Sequence, residues 1–224
     1  MLLSATSQAA FLFEIDTDGT DDGVVTFNPN FSFGGDTTTA SQSITSPAYG
    51  TTGGDSIFGG VGAALADTYS YTYQPSVEAD NLVIPFGTDL GGGNLASGLA
   101  GGGTGVYRVY ATWPFTSNVS GGDTRYTIST VGTADIVIDI DQNGGGAGAG
   151  GIWFLLGDID YSDLTSSINV SQMPTVANSF VSMRSYGLLF ERVTDEGDIP
   201  VPATLALLAL GFVGIGYQRR KQHK

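Results

Sequence analysis

Apolar and polar residues alternate in short bursts along this chain and rarely follow a helical rhythm. Runs rich in Val, Ile, Tyr, Phe and Thr with a two-residue period occur at Phe11–Ile15, Val24–Phe27, Thr68–Tyr73, Gly105–Trp113, Thr124–Ser129, Ala134–Asp141, Ile152–Leu156, Ser166–Val170 and Tyr186–Val193. A strand turns successive side chains to opposite faces, so this period marks a strand with one buried face. Before the last 25 residues or so, no segment keeps a 3.6-residue apolar period over three turns. Glycine punctuates the runs at Gly91–Gly93, Gly101–Gly103 and Gly144–Gly151. Many short strands joined by turn-rich connections predict an all-β body, an antiparallel β-sandwich. Residues 28–60, dense in Ser, Thr, Gly, Asn and Asp, read as long loops decorating that sandwich or as a disordered linker.

The same periodicity sorts side chains within strands. Tyr107, Val109 and Trp113 share one face and are expected in the core, with Arg108 and Tyr110 on the other. Trp153 lies in the unbroken apolar run Ile152–Leu156 and reads as buried. Tyr69, Tyr71 and Tyr73 share one face of their strand, which makes them either a flat glycan-stacking platform or a row of core aromatics.

Charge narrows the partners. All 22 acidic residues precede Ile199, against four arginines (Arg108, Arg125, Arg184, Arg192) in the same stretch, so residues 1–198 carry −18 while the whole chain carries −14. No lysine occurs before Lys221. A field of that sign repels phosphate backbones and excludes nucleic acid as an expected partner. With no cysteine, the body has neither disulfides nor thiolate chemistry and depends on its apolar core.

The C-terminal stretch has a different character. Pro200-Val201-Pro202 precedes an uncharged apolar run from Ala203 to Tyr217, and Arg219, Arg220 and Lys221 form a basic cluster beyond it. A helix over 203–217 is expected to span a membrane, just long enough if it starts near Val201 and its basic residues snorkel to the headgroups. The positive-inside bias puts the cluster on the cytoplasmic side. These residues resemble the PEP-CTERM sorting signal of Gram-negative bacteria, with Val201 where that family usually has glutamate. The resemblance implies export, anchoring in the inner membrane, and cleavage near Pro200–Pro202 by an exosortase, after which the protein reaches the cell surface or the medium. At the other end, residues 1–10 read as the remnant of a signal peptide, with Ser7 and Ala9 as the small residues of its cleavage site. The expected organisation is thus 1–10, an exported domain over 11–198, and a sorting signal over 199–224.

Candidate chemistry is sparse. The single histidine, His223, lies in the basic tail, so no Ser–His–Asp or Cys–His arrangement can form in the exported body. A carboxylate pair for glycoside cleavage stays open, because it needs only two acids at suitable separation. Calcium is a candidate cofactor at two acidic clusters. Asp139, Asp141 and Asn143 begin a D-x-D-x-N-G loop, although Gly150 stands at the twelfth position and ends the EF-hand reading; Asp158 or Asp160 could supply further oxygens. Asp16 and Asp18 belong to the second cluster. At both sites the alternative is a solvated turn.

From Asp67 to about Val193 the chain resembles the golvesin C-terminal-like domain, a carbohydrate-binding-like module also found attached to bacterial xanthan lyases. The resemblance rests on Gly105-Val106-Tyr107-Arg108-Val109-Tyr110-Ala111-Thr112-Trp113-Pro114, Arg125-Tyr126-Thr127-Ile128, Ile140-Asp141-Gln142-Asn143-Gly144-Gly145, Trp153-Phe154-Leu155-Leu156-Gly157 and the closing strand Tyr186–Val193. It implies a galactose-binding-type jelly roll without catalytic activity. The expected function is a non-catalytic exported surface or matrix protein that binds glycan or associates with exopolysaccharide. The alternative is a secreted hydrolase working through a carboxylate pair.

Overall fold

The computed structural model describes residues 9–18, 27–34, 46, 48–51, 56–59, 67–114, 123–142, 152–175 and 183–193. By its internal contacts the chain divides into one unit over Met1–Val193 and another over Thr194–Lys224. The second lies outside the described residues, as do the expected membrane helix, Pro200–Pro202 and the basic cluster. Among the described residues no helix is long and apolar enough to cross a membrane.

The described residues of the first unit are all-β. Its strands are β1 (Ala9–Asp16), β2 (Phe31–Gly34), β3 (Ile57–Gly59), β4 (Thr68–Tyr73), β5 (Leu82–Pro85), β6 (Asp89–Gly91) and β7 (Asn94–Leu95). They continue with β8 (Gly105–Thr112), β9 (Thr124–Ser129), β10 (Ile136–Ile140), β11 (Phe154–Tyr161), β12 (Ile168–Pro174), β13 (Met183–Ser185) and β14 (Gly187–Val193). Two five-stranded antiparallel sheets dominate, ordered β11-β8-β14-β1-β5 and β10-β9-β12-β4-β2. Two-stranded ribbons, β13-β3 and β6-β7, accompany them. The chain changes sheet from β8 to β9, from β10 to β11 and again from β11 to β12, so sequence neighbours often end up in opposite layers.

The core explains why these strands form. Phe13, Ile15, Tyr107, Val109, Leu156, Ile159, Leu188 and Phe190 of the first sheet share one buried cluster with Phe31, Tyr69, Tyr71, Tyr73, Tyr126, Ile128, Ile168 and Val170 of the second. Each set occupies alternate positions of its strands, as a face-to-face sandwich requires. Aromatic rings fill the middle. Phe13 stacks on Tyr73 at 4.3 Å between centroids, Tyr73 leans on Phe190 at 5.0 Å, and Tyr107 meets Tyr161 edge-on at 5.7 Å.

The first sheet is also covered on its other face. Ala10, Leu12, Tyr110 and Leu189 point away from the sandwich into a second buried cluster with Ala48, Ile84, Leu90, Ala96 and Trp153. The β6-β7 ribbon belongs to this cover: Trp153 N–H donates to Leu90 O at 3.0 Å, and the Trp153 indole N–H donates to Tyr49 O at 2.8 Å. Gly91 has φ +128°, and a Cβ there would lie 2.7 Å from Ile152 Cβ, so only glycine lets the ribbon approach this closely. Two covered faces account for the loss of polar alternation in β14, where Leu188, Leu189 and Phe190 are all buried.

Several elements differ from the sequence expectation. β2 and β3 fall within residues 28–60, where only loops or linker were expected, because short edge strands need few apolar positions. β11 runs on through Asp158-Ile159-Asp160-Tyr161 after an irregularity between Leu155 and Gly157: Ile159 and Tyr161 face the core while the aspartates face out. Phe27 makes an isolated bridge with Asp18, and the rest of the Val24–Phe27 run lies outside the described residues. Ala9 and Ala10, assigned from sequence to the leader remnant, pair with Pro85 and Ile84 in the first sheet.

Candidate functional site

Whereas the far face of the first sheet is covered, the outer face of the second sheet is accessible across its strands. Its inward residues are mainly Phe, Tyr, Ile and Val, with Gln172 and Thr124 buried among them, so by the two-residue period its outward residues are the intervening ones. Cross-strand register aligns them into rows. Ser32 pairs with Ser70, Ser70 with Ser171, Ser171 with Thr127, and Thr127 with Val137, a row that crosses all five strands. Beside it Met173 pairs with Arg125 and Arg125 with Asp139, while on the other side Thr72 pairs with Asn169 and Asn169 with Ser129. All of these side chains are exposed or half-buried. Thr72 Oγ1 donates to Asn169 Oδ1 at 3.1 Å, while the hydroxyls of the central row, Ser32, Ser70, Ser171 and Thr127, stand free to act as donors or acceptors toward solvent.

This face is almost without net charge. Asp139 is the one acid among the residues named, and Arg125 holds it through Nε and Nη2, each 2.8 Å from a carboxylate oxygen. The hydrogen bonds from Arg125 keep the Asp139 carboxyl below the usual carboxylate range. Val137 and Met173 add apolar contact area, at 55% and 37% exposure. Sequence periodicity contained the signal for this face, since Ser70, Thr72, Thr127, Ser129 and Asn169 all occupy alternate positions. Periodicity alone does not say which side of a strand meets water.

Several described acids elsewhere are engaged within the fold. Glu191 is fully buried on the far face of the first sheet, where Tyr110 O–H donates to its Oε2 at 2.8 Å and Ser97 N–H donates to its Oε1. Arg108 and Asp158 pair across β8 and β11 at 3.3 Å, half exposed. Glu14 and Asp16, adjacent outward positions of β1, are both buried and their carboxyls are hydrogen-bonded. Burial first, and then the neighbouring Asp16 charge and hydrogen bond, raise the Glu14 carboxyl to about 9, so it holds its proton at neutral pH.

The sequence-predicted sites are therefore placed as follows. Tyr69, Tyr71 and Tyr73 are 1%, 0% and 0% exposed in the inter-sheet core, which corrects the stacking platform: a ring packed against Phe13 or Phe31 offers no face to a sugar. Asp139 is engaged with Arg125 on the open face, whereas Asp158 points away from the sandwich on the far side of the first sheet, so the two do not converge. Asp141 is exposed at the end of β10, and Asn143 lies outside the described residues. Asp16 and Asp18 are buried within and just after β1 rather than in a solvated turn. Among the described residues no three acids or histidines gather as a metal site.

Comparison with known proteins adds one decisive match, and it concerns the tail. Residues 198–221 carry the PEP-CTERM protein-sorting motif. The motif implies an exported protein processed by exosortase, a membrane protease. No curated protein matches the chain. Among solved structures, Paenibacillus xanthan lyase is similar at a TM-score of 0.47 and 16% identity, over 82% of this chain. The chain spans only 13% of that lyase's length.

Proposed function

We propose that this chain is a non-catalytic exported protein that an exosortase releases from the inner membrane and that then associates with polysaccharide at the cell surface or in the matrix. The observation that carries the reading is the sorting motif at 198–221, joined in one chain to a body with a broad hydroxyl-lined sheet face. In this reading residues 203–217 form a membrane helix, Pro200–Pro202 mark the processing region, and Arg219, Arg220 and Lys221 stay on the cytoplasmic side. The body is a galactose-binding-like jelly roll, and the outer face of the second sheet is its glycan surface.

Expressed in an exosortase-bearing host, the protein should appear in envelope or extracellular fractions with a C-terminus near Pro200–Pro202 by mass spectrometry. It should also sediment with polysaccharide without releasing new reducing ends. An intact chain in the cytosol would overturn the sorting half of the proposal. Release of reducing ends, abolished by substituting one acid, would replace the binding half with a secreted carboxylate hydrolase.

A further inference from the structure

We infer that the glycan taken by the open face of the second sheet is an uncharged polysaccharide, an inference that rests on the glycan-binding reading above. Proteins that hold uronates, sulfates or phosphates place unpaired arginine or lysine where the anion lands. This body has four such residues and commits every one. Arg108 is paired with Asp158, and Arg125 is held in a two-pronged pair with Asp139. Arg184 is buried, its guanidinium 4.8 Å from the centre of the Phe58 ring, and Arg192 donates to the carbonyls of Ala100 and Thr104. No lysine is present anywhere before residue 221.

The field of the whole body points the same way. With −18 on residues 1–198, the body as a whole repels a polyanion, and the described residues of the open face leave no unpaired cation to offset it. A neutral chain of sugars feels neither penalty. The row Ser32, Ser70, Ser171 and Thr127 offers both donors and acceptors over three strand spacings, about 14 Å, the reach of a short oligosaccharide. Val137 ends the row on β10, Met173 lies in the row beside it, and both can pack against the apolar edges of sugar rings.

The test uses the full chain purified in detergent and immobilised panels of uncharged glucans, mannans and galactans, of polygalacturonate, and of chitosan, each at low and high salt. Retention is expected on at least one uncharged polymer, with little change on adding salt, and not on polygalacturonate. Ser70→Glu with Ser171→Glu should cut that retention by about tenfold or more, because sugar hydroxyls would have to bury carboxylates. Val77→Glu, on an exposed turn at 73% exposure, should leave it unchanged, with circular dichroism confirming that both variants fold. Salt-sensitive retention on polygalacturonate or chitosan in preference to every neutral polymer would overturn the uncharged class while sparing the glycan reading. Undiminished neutral binding by the double variant would overturn the choice of face. Retention on no polymer at all would sink the glycan reading itself.

Discussion

At the scale of single residues, the buried carboxyls differ in what they do for stability. The Glu14 carboxyl has a reference value of 4.5 in the unfolded chain and about 9 in the folded one. Between those values the folded protein keeps a proton that the unfolded chain releases, so the contribution of Glu14 to stability falls as pH rises from about 4.5 to about 9 and is level outside that window. Glu14→Gln, which preserves a donor toward Asp16, should remove this slope and raise stability at pH 7 by roughly 2–3 kcal/mol, with little change at pH 4. Thermal melts across pH check it, and identical slopes in both proteins would refute it. Glu191 is the opposite case. Its two oxygens satisfy Tyr110 O–H and Ser97 N–H inside the fold. Glu191→Ala should cost roughly 2–4 kcal/mol in denaturant titration, and Tyr110→Phe roughly 1–3, because each leaves buried polar groups without partners.

At the scale of elements, the two sheets are unequal, and substitutions read the difference. Leu189 and Val137 both point outward from the inter-sheet core, but Leu189 enters the second buried cluster while Val137 is 55% exposed. Leu189→Lys should destabilise by roughly 4 kcal/mol or abolish folding, whereas Val137→Lys should stay within about 0.5 kcal/mol of the parent. Comparable losses in both would mean the second sheet is also covered. The sequence foresaw β4 and β9 residue for residue, since each alternates cleanly and ends in turn-forming residues. It stopped β11 short because Asp158 and Asp160 resemble a turn when the buried Ile159 and Tyr161 between them are overlooked. β6 and β7, three and two residues long, are held by contact with Trp153 rather than by any local pattern. The tyrosines of β4 show the general limit. Alternation placed all three on one face, and only the position of the first sheet decides that this face is the inside.

At the scale of the whole molecule, sorting and charge are linked. Both lysines of the chain, Lys221 and Lys224, lie beyond Pro200–Pro202, so processing there would remove every side-chain amine. An amine-reactive dye should label the processed form only at its N-terminus and the unprocessed form also at its tail, a difference that intact mass after labelling resolves. Equal labelling of both forms would place processing elsewhere. The export address was legible in the sequence because it is a local string of residue types. The open face was not, because it is assembled from five strands that the chain visits in the order β2, β4, β9, β10 and β12, with excursions to the other sheet between them.

The way the four arginines are used has a further consequence. Arg108, Arg125, Arg184 and Arg192 all sit within strands. A trypsin-like enzyme must thread an extended, unpaired segment through its cleft, and here the bonds after these residues are reached only when a sheet comes apart. Persistence among secreted proteases is then set by how seldom the ladders open.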